Sequence, residues 1–231
     1  LGISMTKRRV VITGLGLITP VGIGVNESWK NILNGVSGIT NITKFDASNF
    51  KSQVAGEVKN FNPDLYLNPK DSRRMDTFIQ YGLVAGIEAI KDSGLEVTEE
   101  NSERIGVSIG SGIGGINLIE STKDIFDQGG ARKVSPFFVP GTIINMISGN
   151  LSIMYGLKGP NISIVTACTT GTHSIGGASR MIEYGDADVM IAGGSEAAIT
   201  ELTVAGFSAA KALTQRNDDP TTASRPWDKD R

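Results

Sequence analysis

Short apolar runs alternate with segments of helical periodicity along most of this chain. Residues 105–109, 162–165 and 189–192 are rich in Val and Ile, which is typical of strands buried on both faces of a parallel sheet. An earlier run at 10–13 (VVIT), ended by Gly14, has the same character. Buried strands separated by helical segments predict an α/β fold built around a mostly parallel sheet.

Helical periodicity is clearest at 72–93, where apolar residues recur every three or four positions and Gly94 provides a stop. A shorter helix is predicted from Asn26, as its N-cap, to Leu33, and Gly35 closes it. The remaining predictions are helices at 116–126, 142–155, 169–184 and 203–212, and at most one strand, at 53–58, within an irregular stretch at 37–70.

The composition excludes several classes of protein. With 231 residues, 39% hydrophobic and 20% charged, the chain has the composition of a folded globular protein. No apolar run approaches the roughly 18–20 residues that span a bilayer. The formal charge of −2 gives no long-range attraction to nucleic acid or to a membrane surface. One cysteine and one histidine form neither an internal disulfide nor a Cys/His zinc site, so we expect a cytoplasmic protein without metal or cofactor.

Glycine is overrepresented, at 29 of 231 residues against a usual ~7%. Residues 110–115 (GSGIGG) follow a predicted strand and formally match a dinucleotide-binding loop, but the acidic strand end expected about 20 residues later is missing. Residues 193–197 (GGSEA) resemble a relaxed serine-nucleophile turn, yet Ser195 has only His173 as a base. At 110–115 we favour glycines that permit close packing or approach of the backbone to some other ligand, and at 193–197 we favour a structural glycine turn.

Cys168 is the strongest candidate for chemistry. It lies where the predicted strand at 162–165 gives way to a helix, and the free amides and dipole of a helix N-terminus favour an anion. This setting favours the nucleophilic thiolate, and the sharp turn leaves N–H groups where a developing oxyanion would lie. Small neighbours such as Ala167 and Gly171 leave room for a substrate. The alternative is an inert buried cysteine.

His173 follows Cys168 by five residues, which is a rotation of roughly 140° on a helix. The two side chains would therefore point to different faces. We expect His173 to be a packed or hydrogen-bonded structural residue. If Cys168 is catalytic, its acid–base partners then lie outside these residues.

Two basic clusters stand out in this slightly acidic chain. Such clusters are usually solvated surface, but they also suit the docking of an acidic partner by long-range attraction. They comprise Lys70, Arg73 and Arg74 in one place and Arg132 and Lys133 in the other.

The two ends of the chain carry separate expectations. Leu1–Ser4 are expected to be a cloning remnant ahead of a natural start at Met5. Residues 217–231 form a polar tail that contains Trp227, whose indole normally requires apolar cover. Either this tail folds back, or the chain was cut from something longer.

Several of these segments resemble motifs of one known family. Residues 166–171 (TACTTG) resemble the nucleophile motif of the 3-oxoacyl-[acyl-carrier-protein] synthases, the condensing enzymes of fatty acid synthesis, and most of all the bacterial synthase II group. The match runs in order from about Lys7 to the end of the chain, which makes it specific. Its other segments are 11–16 (VITGLG), 74–76 (RMD), 110–115 (GSGIGG), 135–140 (SPFFVP), 186–194 (DADVMIAGG) and 224–228 (SRPWD).

The resemblance implies a thiolase-like α/β fold of two related halves, each βαβαβαββ, in alternating αβαβα layers and assembled as a homodimer. Residues 5–231 would form the N-terminal half, with the C-terminal half absent. The family's two catalytic histidines, its lysine and its second oxyanion donor lie in that second half. We therefore expect this chain to supply the nucleophile but not to condense substrates alone.

The same resemblance assigns roles to individual residues. Cys168 would accept an acyl chain from acyl carrier protein as a thioester, and malonyl carrier protein would decarboxylate to attack it, giving a chain two carbons longer. Ile113, Phe138 and Phe207 match acyl-pocket positions, with Phe138 reaching across the dimer. The positions that would face the acidic carrier protein are Lys70, Arg73, Arg74, Arg132, Lys133 and Arg216.

A different interpretation is a non-catalytic module of the same fold that serves for dimerisation or acyl binding. The chain-length-controlling relatives of these synthases are such modules, and they lack the cysteine. The presence of Cys168 therefore argues against this interpretation.

Overall fold

The computed structural model describes residues 8–231, so the predicted remnant at 1–4 and the predicted start at Met5 lie outside the described residues. The chain divides into two compact units. The larger unit comprises the residues up to Gly16 together with Pro63–Ala197. The smaller unit comprises Leu17–Asn62 together with Ala198–Arg231.

Strands and helices alternate through both units, joined by short 3₁₀ turns. In chain order they are β1 (Ile18–Thr19), β2 (Gly22–Ile23), α1 (Val25–Leu33), β3 (Thr40–Asn41), β4 (Val54–Ala55), α2 (Pro69–Ser72), α3 (Thr77–Ser93), β5 (Ile105–Gly110), α4 (Ile116–Gly129), α5 (Phe138–Thr142), α6 (Met146–Tyr155), β6 (Asn161–Ile162), α7 (Thr170–Tyr184), β7 (Val189–Gly194) and α8 (Glu201–Ala209).

A three-stranded parallel sheet with the order β6-β5-β7 forms the centre of the larger unit. Every residue of β5 is buried, which accounts for its mostly apolar composition. Val107 in the middle of β5 lies opposite Asn161 on one side and Ile191 on the other. The predicted α/β class with a parallel sheet is confirmed, and the three apolar runs between 105 and 192 contribute its strands.

Helices α3 and α6 pack closely because α3 has glycines where the two helices meet. A Cβ at Gly82 would lie 2.7 Å from Ile147, and one at Gly86 would lie 2.6 Å from Leu151. Both of these α6 side chains are fully buried, as is Phe78 at the start of α3. The glycines therefore allow two large side chains of α6 to fill the core where α3 would otherwise exclude them.

The strand predicted at 10–13 is wrong. Val11 and Ile12 are 62% and 79% exposed, and within the described range no strand pairs with them. An apolar β-branched run forms a strand only where a neighbour accepts its hydrogen bonds. The following turn does pack closely, because a Cβ at Gly14 or Gly16 would lie 2.2 Å or 1.8 Å from the nearest carbonyl oxygen of α3.

The strand predicted at 162–165 pairs only as far as Ile162. Beyond it, the Ser163 hydroxyl donates to the Ile109 carbonyl at 2.7 Å, so a side chain occupies the acceptor that a continuing ladder would use. The helix predicted at 142–155 is found as α6 and begins only at Met146, because Thr142 ends α5 and Ile143 after it is extended.

Helix boundaries differ from the prediction where the N-cap is a different residue from the one predicted. Asp76 caps α3, so this helix starts at Thr77 rather than at 72. Gly24 rather than Asn26 precedes α1, and Glu27 instead accepts from the Ile23 amide at 2.8 Å. The last predicted helix, at 203–212, is found as α8 over 201–209.

The smaller unit contains two short antiparallel pairs, β1–β2 and β3–β4, with helices α1 and α8. Its core brings Ile42 and Ala47 from the first segment against Val204 of α8. The Gln53 amide also donates to the Asn217 side chain at 2.9 Å, which ties the two chain segments together. The strand predicted at 53–58 is confirmed only at its centre, in β4.

The tail does not fold back over its tryptophan. Trp227 is 93% exposed, although Arg225 and Asp228 form an ion pair at 2.8 Å on either side of it. Among the described residues, no helix combines the length and apolar character that crossing a membrane requires.

Candidate active site

The segment between β6 and α7 presents Cys168 on a sharply turned backbone. Residues Ala167–Thr169 form a 3₁₀ turn directly before α7, and Cys168 is exposed. The Thr166 amide donates to the Thr170 hydroxyl at 2.9 Å, which holds the entry to the helix. Ala167 has φ 53°, a conformation that residues other than glycine rarely adopt. Cys168 therefore lies directly before a helix with its side chain exposed, and the alternative of a buried cysteine is wrong.

The glycine-rich loop at 110–115 lies against this turn. A Cβ at Gly110 would lie 1.9 Å from the Ile164 carbonyl oxygen, and one at Gly112 would lie 3.2 Å from the Ala167 carbonyl oxygen. Only glycine permits such an approach of two backbones. At its other end the loop is hydrogen-bonded to α5, where the Gly115 amide donates to the Thr142 carbonyl at 3.1 Å.

The amides of the same loop bind a carboxylate of the protein itself. Both Glu196 oxygens accept: Oε2 from Gly112 and Ile113 at 2.9 Å each, and Oε1 from Gly114 at 3.2 Å. The Ser111 hydroxyl donates to Oε1 at 2.8 Å. These N–H groups are therefore already occupied, and the dinucleotide-loop interpretation is wrong. Of the favoured interpretation, the close packing of the loop backbone is confirmed.

The hydrogen bonds of Ser195 and His173 indicate whether these residues are placed to act as nucleophile and base. The Ser195 hydroxyl donates to the Phe78 carbonyl at 2.7 Å, so it has a structural role and is not poised as a nucleophile. His173 Nδ1 lies 2.8 Å from the Thr166 hydroxyl, as expected of a hydrogen-bonded structural histidine. The hydroxyl partner, seven residues earlier, holds this ring beside the segment that enters α7.

The predicted pocket residues occupy both units. Ile113 lies in the glycine-rich loop and is partly exposed, and half-buried Phe138 is the first residue of α5, the helix to which that loop is hydrogen-bonded. The structure thus places Ile113 and Phe138 on neighbouring segments, with Cys168 on the turn packed against the same loop. Phe207 lies on α8 of the smaller unit and is partly exposed.

The predicted docking residues are all at the surface, and five of the six belong to the larger unit. Arg74 Cζ lies 3.9 Å over the ring of Phe137, so the first basic cluster contacts the segment that leads into α5. Arg132 and Lys133 occupy a 3₁₀ turn a few residues before that ring. Arg216 is exposed in the smaller unit.

Sequence reasoning missed the role of Asp76. Its carboxylate accepts from the Phe78 amide at 3.2 Å and from the Leu118 amide at 2.7 Å, and its own amide donates to the Gly141 carbonyl at 3.0 Å. It therefore connects α3, α4 and α5, and burial raises the pKa of Asp76 in spite of these bonds. The only signal was the aspartate directly before a predicted helix, a common N-cap.

A surface charge cluster fixes the entry to β7. The Arg104 guanidinium lies 3.1 Å from the Asp188 carboxylate, and the Arg8 guanidinium lies 2.5 Å from it. Hydrogen bonds from Arg104 first and then Arg8 lower the pKa of Asp188 to about 2. The carboxylate thereby holds the start of the described chain beside the strand that leads to the site.

The larger unit is thus an α/β unit in which Cys168 lies at a strand-to-helix turn beside a glycine-rich loop. Residues 7–230 match the beta-ketoacyl synthase N-terminal domain family, and the chain belongs to this family.

Two curated relatives from different bacteria share the same description. The chain is 64% identical over 227 residues to the 3-oxoacyl-[acyl-carrier-protein] synthase 2 of Vibrio cholerae serotype O1, an alignment that covers 98% of this chain and 55% of that protein. It is 57% identical, over the same shares, to the synthase 2 of Coxiella burnetii. The chain thus spans about 55% of the length of these relatives.

Solved structures agree on the fold. A beta-ketoacyl synthase from Burkholderia phymatum matches with a TM-score of 0.84 and 28% identity, over 96% of this chain and 55% of that one. A type II polyketide ketosynthase, solved in a complex with its acyl carrier protein, matches with a TM-score of 0.79 and 31% identity, over 91% and 51%. The predicted thiolase-like α/β fold, in its N-terminal half, is thereby confirmed.

Proposed function

We propose that residues 5–231 are the N-terminal half of a 3-oxoacyl-[acyl-carrier-protein] synthase 2 and that Cys168 carries the growing chain in fatty acid elongation. The observation that carries this proposal is the exposed Cys168 thiol at the start of α7, packed beside the glycine-rich loop. The 64% identity to a synthase of that description supports the substrate class.

The first step is a thioester exchange. The Cys168 thiolate attacks the carbonyl carbon of an acyl carrier protein thioester, a new C–S bond forms, and the carrier's C–S bond breaks. The departing carrier thiolate takes up the proton that Cys168 released. Amides at the turn and at the N-terminus of α7 would stabilise the oxyanion of the tetrahedral intermediate.

The second step builds the carbon–carbon bond. A malonyl carrier protein loses CO₂, and the resulting carbanion attacks the Cys168 thioester. Cys168 leaves as a thiolate, and a 3-oxoacyl chain two carbons longer remains on the carrier. The histidines and the lysine for this step are proposed to lie in the second half of the synthase, because the one histidine of this chain, His173, is hydrogen-bonded to Thr166.

Acyl-chain binding and assembly are part of the same proposal. Ile113, Phe138 and Phe207 would line the acyl pocket, and Phe138 would do so across a homodimer. The adjacency of the Ile113 loop and α5 supports the first two assignments. The partly exposed faces of these side chains leave apolar surface for an acyl chain to cover.

The decisive test is acylation of Cys168. Incubation of the chain with an acyl carrier protein thioester should add the mass of one acyl group, and Cys168→Ala should remain unmodified. His173→Ala serves as the matched control and should still be acylated, since its imidazole is assigned a structural role. A folded chain that binds the acylated carrier without any adduct would instead indicate a non-catalytic binding module.

Carrier-protein docking is proposed for Lys70, Arg73, Arg74 and, in addition, Arg132, Lys133 and Arg216. Reversing two charges in Arg73→Glu/Arg74→Glu should weaken carrier binding about tenfold or more, because rim charges steer an acidic partner. Lys51→Glu/Lys158→Glu makes the same charge change at exposed positions outside the clusters and should bind normally. Equal affinities of both variants in a titration would remove the docking role.

A further inference from the structure

The carboxylate of Glu196 accepts hydrogen bonds that its position in the sequence does not predict. It lies two residues after the end of β7, and its carboxylate receives four hydrogen bonds from residues 111–114, more than 80 positions earlier in the chain. Three donors are successive backbone amides, and the fourth is the Ser111 hydroxyl. Within residues 8–231, no basic side chain forms an ion pair with Glu196.

Among the described residues, three backbone amides and the Ser111 hydroxyl therefore bind the negative charge, without a basic side chain. Successive amides that point into one concavity form an anion-binding nest, and here the anion is part of the protein. Ser111 is buried and stabilises the nest from inside, because its oxygen also accepts from the Gly114 amide at 3.1 Å. Hydrogen bonds to a charged group are the stronger kind, so the loop conformation depends on this carboxylate.

The stem that carries Glu196 is itself fixed. The amide of the preceding residue, Ser195, donates to the Gly110 carbonyl at 3.0 Å, and its hydroxyl donates to Phe78. A Cβ on Gly194 would lie 3.0 Å from the backbone of Gly171 in α7. The backbone that carries Glu196 is therefore fixed at the end of β7, and the Glu196 side chain holds the loop in place relative to this strand end.

The loop in turn borders the reactive cysteine. Its residue Gly112 lies between Glu196 and the backbone of Ala167, with a built Cβ 2.8 Å from Oε2 and 3.2 Å from the carbonyl oxygen. Ile113, whose amide is bound by the same Oε2, is next in the chain. A change at Glu196 would move Ile113 relative to the Cys168 turn.

We infer that Glu196 is a positioning residue for acyl-chain selection: it touches no substrate, but it sets the place of Ile113 beside Cys168 and so determines which chain lengths are accepted. This inference rests on the proposed function. It predicts that loss of the carboxylate alters acylation by long acyl chains while the intrinsic reactivity of the thiol stays the same.

The test compares Glu196→Gln with Glu100→Gln, which makes the same charge change at an exposed position in a turn. Glutamine keeps one oxygen that can accept hydrogen bonds from the loop. Its NH₂ group replaces the other oxygen, so that loop donors would face a donor instead of an acceptor. Acylation of Cys168 by hexanoyl, decanoyl and palmitoyl carrier thioesters is followed by mass spectrometry, and alkylation by iodoacetamide reports thiol reactivity. For Glu196→Gln we expect the preference between the shortest and longest chain to change about tenfold. Iodoacetamide alkylation should stay at the wild-type rate, and Glu100→Gln should match the wild type in both assays.

Amide hydrogen exchange separates this inference from the proposed function. The amides of Gly112, Ile113 and Gly114 should exchange about tenfold faster in Glu196→Gln, whether or not the wild type accepts an acyl group. If the wild type is not acylated, the proposed function fails while the exchange result still tests the loop. Unchanged exchange at these amides, or an unchanged chain-length preference in a wild type that is acylated, would overturn the inference. If Glu196→Gln does not fold, Ser111→Ala takes its place, because it removes one donor without adding volume, and the same two results decide.

Discussion

Gly110→Ala is the substitution for which the structure gives the sharpest expectation. A Cβ at this position would lie 1.9 Å from the Ile164 carbonyl oxygen and 2.6 Å from the Thr170 methyl group. Non-bonded heavy atoms prefer separations of roughly 3.5 Å, so the end of β5 and the segment before Cys168 would have to separate by more than an ångström. Neither neighbour can move aside as a flexible side chain tip could, because one is backbone and the other is the methyl of a buried threonine.

Overpacking of this kind costs typically 1–3 kcal/mol, and contact with backbone places Gly110→Ala near the upper end, at about 3 kcal/mol. For a chain of this size the melting temperature should fall by about 6–12 °C. The displaced segment leads directly to Ala167 and Cys168, so alkylation of the thiol by iodoacetamide should also change. Thermal unfolding followed by circular dichroism and the alkylation rate measure the two effects.

Gly176→Ala is the matched control, since it adds the same methyl group in α7 where no atom lies within 4 Å of the built Cβ. There the higher helix propensity of alanine should add about 1 kcal/mol of stability, raising the melting temperature by about 2–4 °C. The two glycine substitutions should therefore have opposite signs. A Gly110→Ala protein that melts with the wild type or above it would refute the close approach of loop and turn.

Two further predictions concern the turn and the surface charges. Ala167→Val should lower stability by about 1–2 kcal/mol in urea unfolding, because a β-branched residue tolerates positive φ poorly; equal stability would contradict the backbone conformation found at Ala167. Asp188, whose pKa is lowered to about 2 by Arg104 and Arg8, should stabilise the fold fully above pH 4 and lose that contribution as the pH falls from 4 toward 2. Asp188→Asn should remove this part of the acid dependence, and an acid-unfolding curve identical to that of the wild type would exclude the ion pairs as its source.

Local sequence was sufficient to predict the turn that presents Cys168. A mostly apolar run, a cysteine flanked by small residues and a following helical segment are all encoded within about ten positions around Cys168. The central strand β5 and the stop of α3 at Gly94 were likewise predictable from short windows. In each of these cases the property that decides the structure, burial or a left-handed cap, belongs to the segment itself.

Features that depend on distant partners were not predictable. The run at 10–13 has strand composition but no paired neighbour within the described chain, and the ladder after Ile162 gives way to a serine hydroxyl from Ser163. Glu196 has the appearance of an ordinary surface glutamate, because its four donors lie more than 80 residues away. No periodicity or local spacing records such a contact.

The division of the chain also has a consequence for biosynthesis. The smaller unit takes its core from Ile42 and Ala47 on one side and from Val204 on the other, with about 135 residues of the larger unit in between. At ribosomal elongation rates of about 5–20 residues per second, the first segment waits on the order of ten seconds for its counterpart to emerge. During that interval its apolar side chains remain available to chaperones, and the larger unit can finish folding first.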